Sequence, residues 1–126
     1  MHKQYYFTPQ AEAFDAWDVG HLIELSEDLP VMEVPLSDIA EIDTVYWFGA
    51  DGAPATVRIL VRHMELMSQA DLSYPVIPGA DGQVMDGMHR IAKSLLLGRS
   101  SVRAVRFSKQ PPPDHTNVMP DDLACD

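Results

Sequence analysis

The chain has 126 residues, 46% of them hydrophobic, and a formal net charge of −10. That size fits one domain with a modest core, and no apolar run reaches the roughly 18 residues that a membrane span needs. The acidic balance opposes duplex DNA binding, whose affinity comes largely from neutralising phosphates. The single cysteine, Cys125, excludes an internal disulfide. A start without an apolar signal core makes the cytoplasm the expected location. The charge is uneven, since residues 58–109 hold eight basic side chains against four acidic ones, between strongly acidic flanks. A basic middle of this kind suits a local anion site better than a long nucleic-acid track.

Residues 1–17 are aromatic with no clean period, and Phe14 and Trp17 are expected to pack onto the domain. In residues 18–28 the spacing of Val19, Leu22, Ile23 and Leu25 predicts a short helix, with Asp18 as N-cap and Pro30 beyond its end. Residues 31–36 alternate like a strand, which Pro35 places at an edge or a strand end. Ser37 reads as the N-cap of a short helix running through Glu41. Tyr46-Trp47-Phe48, before a loop over residues 49–54, reads as core packing, with base stacking as the alternative.

Residues 56–70 form the clearest helix. Val57, Leu60, Val61, Met64 and Met67 predict its buried face, and His63 beside that stripe reads as a partly buried, satisfied histidine. Two short apolar runs over residues 74–86 flank an Asp-Gly turn and predict a hairpin. A helix follows from about Met88, with Ile91, Leu95 and Leu96 inward and Gly98 closing it. Residues 102–107 alternate strictly, as a strand with one wet face does. The Pro-rich acidic tail, 108–126, is expected to be extended, on the domain or disordered. The order predicts an α/β (α+β) domain spanning 1–126, with a small mixed sheet and a core over about 18–107.

The chemistry concentrates in Asp86-Gly87-Met88-His89-Arg90. A strand, a glycine and a helix start make an anion cradle: first-turn amides lack intrahelical partners, the helix dipole adds positive charge, and glycine lets a ligand approach. His89 and Arg90 fall in that first turn, where the dipole disfavours cations by roughly 0.3–1 kcal/mol. A bound anion would offset that penalty. Arg90 is suited to a bidentate grip on phosphate and His89 to hydrogen-bond donation or proton transfer, with Lys93 one turn further on. The structural alternative makes Asp86 an N-cap and Arg90 its salt-bridge partner. His2, His21, His63, His89 and His115 show no metal-ligand spacing.

The run from Tyr74-Pro75-Val76-Ile77 through Val84-Met85-Asp86-Gly87-Met88-His89-Arg90-Ile91-Ala92-Lys93 to Leu97-Gly98 and Val102-Arg103-Ala104-Val105 resembles the heart of the ParB/sulfiredoxin superfamily. Val34-Pro35-Leu36-Ser37-Asp38-Ile39 is similar to its opening strand, so the likeness covers about residues 31–107. The resemblance implies nucleotide phosphates at the strand-to-helix turn. In sulfiredoxins that turn reads Gly-Cys-His-Arg; Met88 replaces the reactive cysteine, which removes sulfinic-acid reduction from the implied activities. In chromosome-partitioning ParB proteins it reads Gly-Glu-Arg-Arg and a helix-turn-helix follows; this chain ends soon after residue 107, so DNA binding loses support. A free-serine kinase branch resembles this chain in having Asp-Gly before the turn, which brings small-molecule phosphotransfer into view. Such an enzyme needs a carboxylate base, for which Glu41 or Asp43 is a candidate.

The leading expectation is therefore a nucleotide-binding domain, taking ATP, ADP or CTP or another phosphorylated small molecule, with Mg²⁺ as companion. Asp86, Gly87, Met88, His89, Arg90 and Lys93 would hold phosphate, and His89 and Glu41 would catalyse hydrolysis or transfer. The alternative is a non-catalytic module that binds a protein partner. A nuclease or DNA-binding protein ranks last.

Overall fold

A computed structural model describes residues 4–48 and 54–123, so most of the expected loop over residues 49–54, His2 and Cys125 lie outside the described residues. The fold is α+β. Strands β1 (Tyr5–Pro9) and β2 (Phe14–Asp18) form a hairpin, followed by helix α1 (Val19–Ser26) and strand β3 (Met32–Pro35). Two 3-10 turns, Leu36–Asp38 and Ala40–Asp43, lead toward helix α2 (Val57–Gln69). Then come β4 (Ile77–Pro78), β5 (Val84–Asp86), helix α3 (Met88–Leu96), β6 (Ser101–Ala104) and, in the tail, β7 (His115–Val118).

Among the described residues the strands form three small antiparallel sheets, ordered β1-β2-β7, β3-β6 and β4-β5. A parallel bridge between Val76 and Ala104 joins β6 to the β4–β5 hairpin. It is closed by Val76 N donating to the Arg103 carbonyl and Val105 N to the Val76 carbonyl, each at 2.9 Å. Successive residues point to opposite faces of this layer. Val76, Val84 and Ala104 enter one core cluster with Met88 and Ile91 of α3, Leu36 of the first 3-10 turn and Ile39, which lies between the two turns. Ile77, Met85 and Val105 enter a second cluster with Trp17 of β2 and Leu22 of α1. The central layer is therefore covered on both sides.

The helix ends follow local chemistry. Asp18 caps α1 by accepting from the His21 amide at 3.4 Å, and Thr56 caps α2 by accepting from the Ile59 amide at 3.2 Å. Gly98, at φ 74°, ends α3 with the Gly98 amide on the Leu95 carbonyl and the Arg99 amide on that of Ser94. Ser37 is no N-cap; Pro35 precedes the first 3-10 turn and makes no side-chain cap.

Several expected burial patterns are corrected. The N-terminal hairpin was not visible as alternation because β2 is a central strand with two consecutive buried residues, Ala16 and Trp17. The tail lies on it: the Trp17 indole donates to the Pro111 carbonyl at 2.8 Å, and Asp114 meets both the Asp18 amide and His21. Ile23 and Leu25 of α1 are exposed. Val57, Leu60, Val61 and Met64 of α2 are exposed as well, because α2 docks by the stripe Ile59, His63, Leu66 and Met67 instead. Leu95 and Leu96 are exposed, and Ile91 and Ser94 occupy the inner face of α3. The strand over 102–107 ends at Ala104, after which Val105 turns inward and leaves Arg106 exposed.

Ile91 is fully buried whereas Leu60 is half exposed. In urea denaturation, Ile91→Ala is expected to cost about 2–5 kcal/mol, and Leu60→Ala to stay within about 0.5 kcal/mol. A large loss for Leu60→Ala would place the opposite face of α2 inward.

Candidate functional site

Gly87 turns β5 into α3. It has φ 108° and ψ 19°, and a Cβ there would lie 2.6 Å from Val76 Cγ1. Both the left-handed backbone and the packing exclude a side chain. As N-cap, Gly87 offers no side-chain bond to the helix. The first intrahelical bond runs from the Ile91 amide to the Gly87 carbonyl at 3.1 Å, so the amides of Met88, His89 and Arg90 precede the helical ladder.

Asp86 does not cap these amides. Its Oδ2 accepts from Arg90 Nη2 at 2.8 Å, and both side chains are mostly buried, at 17% and 18% exposure. The Arg90 guanidinium curls back toward the turn, 3.0 Å from where a Gly87 Cβ would stand. The salt bridge that the sequence offers as the structural alternative for Arg90 is thus present, and the pair is partly buried rather than on the open surface. Lys93 is also occupied: its Nζ donates to the carbonyls of Ser68 and Ala70 at 3.0 and 2.8 Å, closing the C-terminal end of α2.

His89 meets a partner that sequence spacing did not suggest. His63 Nδ1 and His89 Nε2 lie 2.8 Å apart. The two rings are inclined by 22° and both stack on Trp47, with centroids 4.4 and 4.6 Å from the indole. Burial holds both imidazoles below their ordinary pKa of 6.5. The charges of His63 and Arg62 depress His89 further, and Asp86 partly opposes them.

A cavity of about 740 Å³ opens at the helix start. Asp86, Gly87, Met88 and His89 line one side, with Trp47 beside them. Tyr5 and Tyr6 of β1 and Asp121 of the tail also line it. Arg90 and Lys93 are not part of the lining. The structure therefore gathers four of the six expected phosphate-binding residues and sends the two strong cations elsewhere.

Glu41 stands apart from these groups. Its Oε1 accepts from the Val84 amide, and burial, foremost, raises its pKa above 4.5. It lines a separate cavity of about 260 Å³, on which Trp47 also borders. Tyr46, whose hydroxyl donates to the Val84 carbonyl at 3.0 Å, has its pKa raised by the same burial. Glu41 and Tyr46 thus fasten Val84 from two directions, a structural task that the sequence did not reveal. Among the described residues no group of three or more His, Cys, Asp or Glu side chains is placed to hold a metal ion.

Comparison of the chain with family models, with curated proteins and with solved structures finds no match. The sequence reads His63 as a satisfied, partly buried histidine and Trp47 as core packing or base stacking; their contact with His89, 26 and 42 residues away, is what spacing does not show.

The two lowered histidines set a pH dependence. The unfolded chain binds protons near pH 6.5 that the folded pair resists, so their contribution to stability is complete above that pH and declines as pH falls through 6.5 toward the folded values. Glu41, raised above 4.5, acts in the opposite sense at lower pH. Melting temperature is expected to drop between about pH 7 and pH 5, and to do so less steeply in a His63→Asn, His89→Asn variant. An equal slope in both proteins would assign the drop to other groups.

Proposed function

We propose that the protein binds a phosphorylated small molecule of the nucleotide class, ATP, ADP or CTP, with phosphate at the start of α3 and the base against the aromatic wall of the cavity. The observation that carries this reading is the uncapped N-terminus of α3 bordering a cavity of about 740 Å³ while the neighbouring carboxylate is turned toward Arg90. Amides at a helix start bind anions through direct hydrogen bonds and through the dipole. His89, neutral and at the cavity wall, supplies a further donor or a proton-transfer group.

Arg90 acts by pairing with Asp86 and Lys93 by closing α2, so phosphate recognition falls to backbone amides and His89. Glu41 is too committed to Val84 to be the favoured base. Mg²⁺ is the companion that a polyphosphate ligand calls for, and with Asp86 engaged by Arg90 the cavity-lining Asp121 is the carboxylate to meet it. The likeness of residues 31–107 to the ParB/sulfiredoxin superfamily supports the same ligand class, in a cytoplasmic protein. No helix among the described residues is long and apolar enough to cross a membrane.

One observation favours a second reading. The exposed stripe of Val57, Leu60, Val61 and Met64 on α2 is a suitable contact for a protein partner, as a non-catalytic interaction module requires. DNA binding ranks behind both, with a net charge of −10 and, among the described residues, a cavity wall without lysine or arginine.

A thermal-shift series with ATP, ADP, CTP and inorganic phosphate at millimolar concentration, with and without Mg²⁺, tests the proposal. A ligand at about a hundred times its Kd stabilises by roughly 2.7 kcal/mol, a shift of several degrees. His89→Ala is expected to weaken binding about 10- to 100-fold, the loss of one charge-assisted hydrogen bond. No shift with any of these ligands would sink the reading.

A further inference from the structure

We propose that His63 is a positioning residue for His89: the two imidazoles form one hydrogen-bonded pair on the face of Trp47, which leaves Nδ1 as the His89 nitrogen available to a ligand. The inference rests on the proposed role of His89 at the cavity, but the pair itself is defined without any ligand.

The geometry restricts the protons. Each neutral imidazole has one N–H and one lone pair. At 2.8 Å, His63 Nδ1 and His89 Nε2 cannot present two lone pairs or two hydrogens to each other, so one proton lies between them. Two arrangements remain. If His63 donates, His89 keeps its own proton on Nδ1 and offers a donor. If His89 donates, its Nδ1 is bare and offers a base, and the His63 proton sits on Nε2. In either case the state of one ring fixes that of the other. A ligand that takes a hydrogen bond from His89 selects the first arrangement; one that gives up a proton uses the second.

The surroundings hold the pair in place. Both rings lie nearly parallel to the Trp47 indole, inclined by 19° and 16°. Lys93 fastens the end of α2 that follows His63 through the Ser68 and Ala70 carbonyls. The charged groups around His89 are Arg62 on α2, which disfavours a second positive charge, and Asp86 on β5, which favours one but is engaged by Arg90 of α3. Trp47 presents no charge. A pair with both rings protonated would direct two N–H groups at each other, so protonation of both must separate them.

Imidazole nitrogen NMR on the ligand-free protein tests this. In the unaltered protein the His63 and His89 resonances are expected to titrate together, below the ordinary 6.5, with His63 Nδ1 and His89 Nε2 both showing hydrogen-bonded shifts. In His63→Ala, His89 should titrate closer to 6.5 and lose the hydrogen-bonded shift at Nε2, and His63→Asn, whose side-chain amide can replace Nδ1, should restore much of the original behaviour. Independent titration of the two rings in the unaltered protein, or His89 signals that ignore His63→Ala, would overturn the proposal. The first readout needs no variant to fold. Because no ligand is present, a failure here is separate from a failure to bind nucleotide. Paired signals with no response to added ADP would uphold the pair and count against the ligand.

Discussion

At Gly87 the backbone passes so close to Val76 that a Cβ would lie 2.6 Å from the valine Cγ1, in a left-handed conformation at φ 108°. That contact seats the start of α3 directly on the central layer. From there the helical period distributes the following side chains. Met88 and Ile91 go to the core beneath, and Arg90 returns to Asp86. His89 is left at the cavity and against His63. The placement of Met88, His89 and Arg90 follows from a glycine that has no space for anything larger.

Electrostatics then explain why two basic residues are tolerated at the positive end of a helix. The dipole disfavours cations there by roughly 0.3–1 kcal/mol. Arg90 is compensated by Asp86 within the same turn, and His89 avoids the penalty by remaining neutral under burial. Neither needs a bound anion to justify its position. A half-hidden ion pair of this kind adds little net stability, because desolvation offsets much of its attraction. Its consequence is geometric: the Asp86 carboxylate that could have capped α3 is turned to Arg90, while Gly87, Met88 and His89 at the helix start line the cavity.

The α+β class, helices α1, α2 and α3, the β4–β5 hairpin and β3 were legible because propensity, capping and turn chemistry are local signals. Asp18, Thr56 and Gly98 act where the sequence placed a cap, a helix start and a helix stop. What failed was orientation. The stripe Val57, Leu60, Val61 and Met64 has helical spacing, yet α2 is apolar on two sides, and its inner side is chosen by tertiary contacts with α3 and Trp47. The β1–β2 hairpin escaped notice because Ala16 and Trp17 are buried in succession, once α1 and a tail strand far along the chain cover β2. The turn at Asp86–Arg90 was legible as a special place, but the partners of its side chains were not. The His63–His89 contact joins two helices through a ring pair, which no residue spacing encodes.

The central claim, that the open amides at the start of α3 receive an anion, is tested most directly by following backbone amide NMR signals during titration with ADP and with inorganic phosphate. The account predicts saturable shifts concentrated at Met88, His89 and Arg90, larger for ADP, with companion changes at Trp47 and Tyr6 along the cavity wall. Signals of these residues that stay fixed at millimolar ligand, or shifts confined to the exposed arginines Arg103 and Arg106, would contradict it.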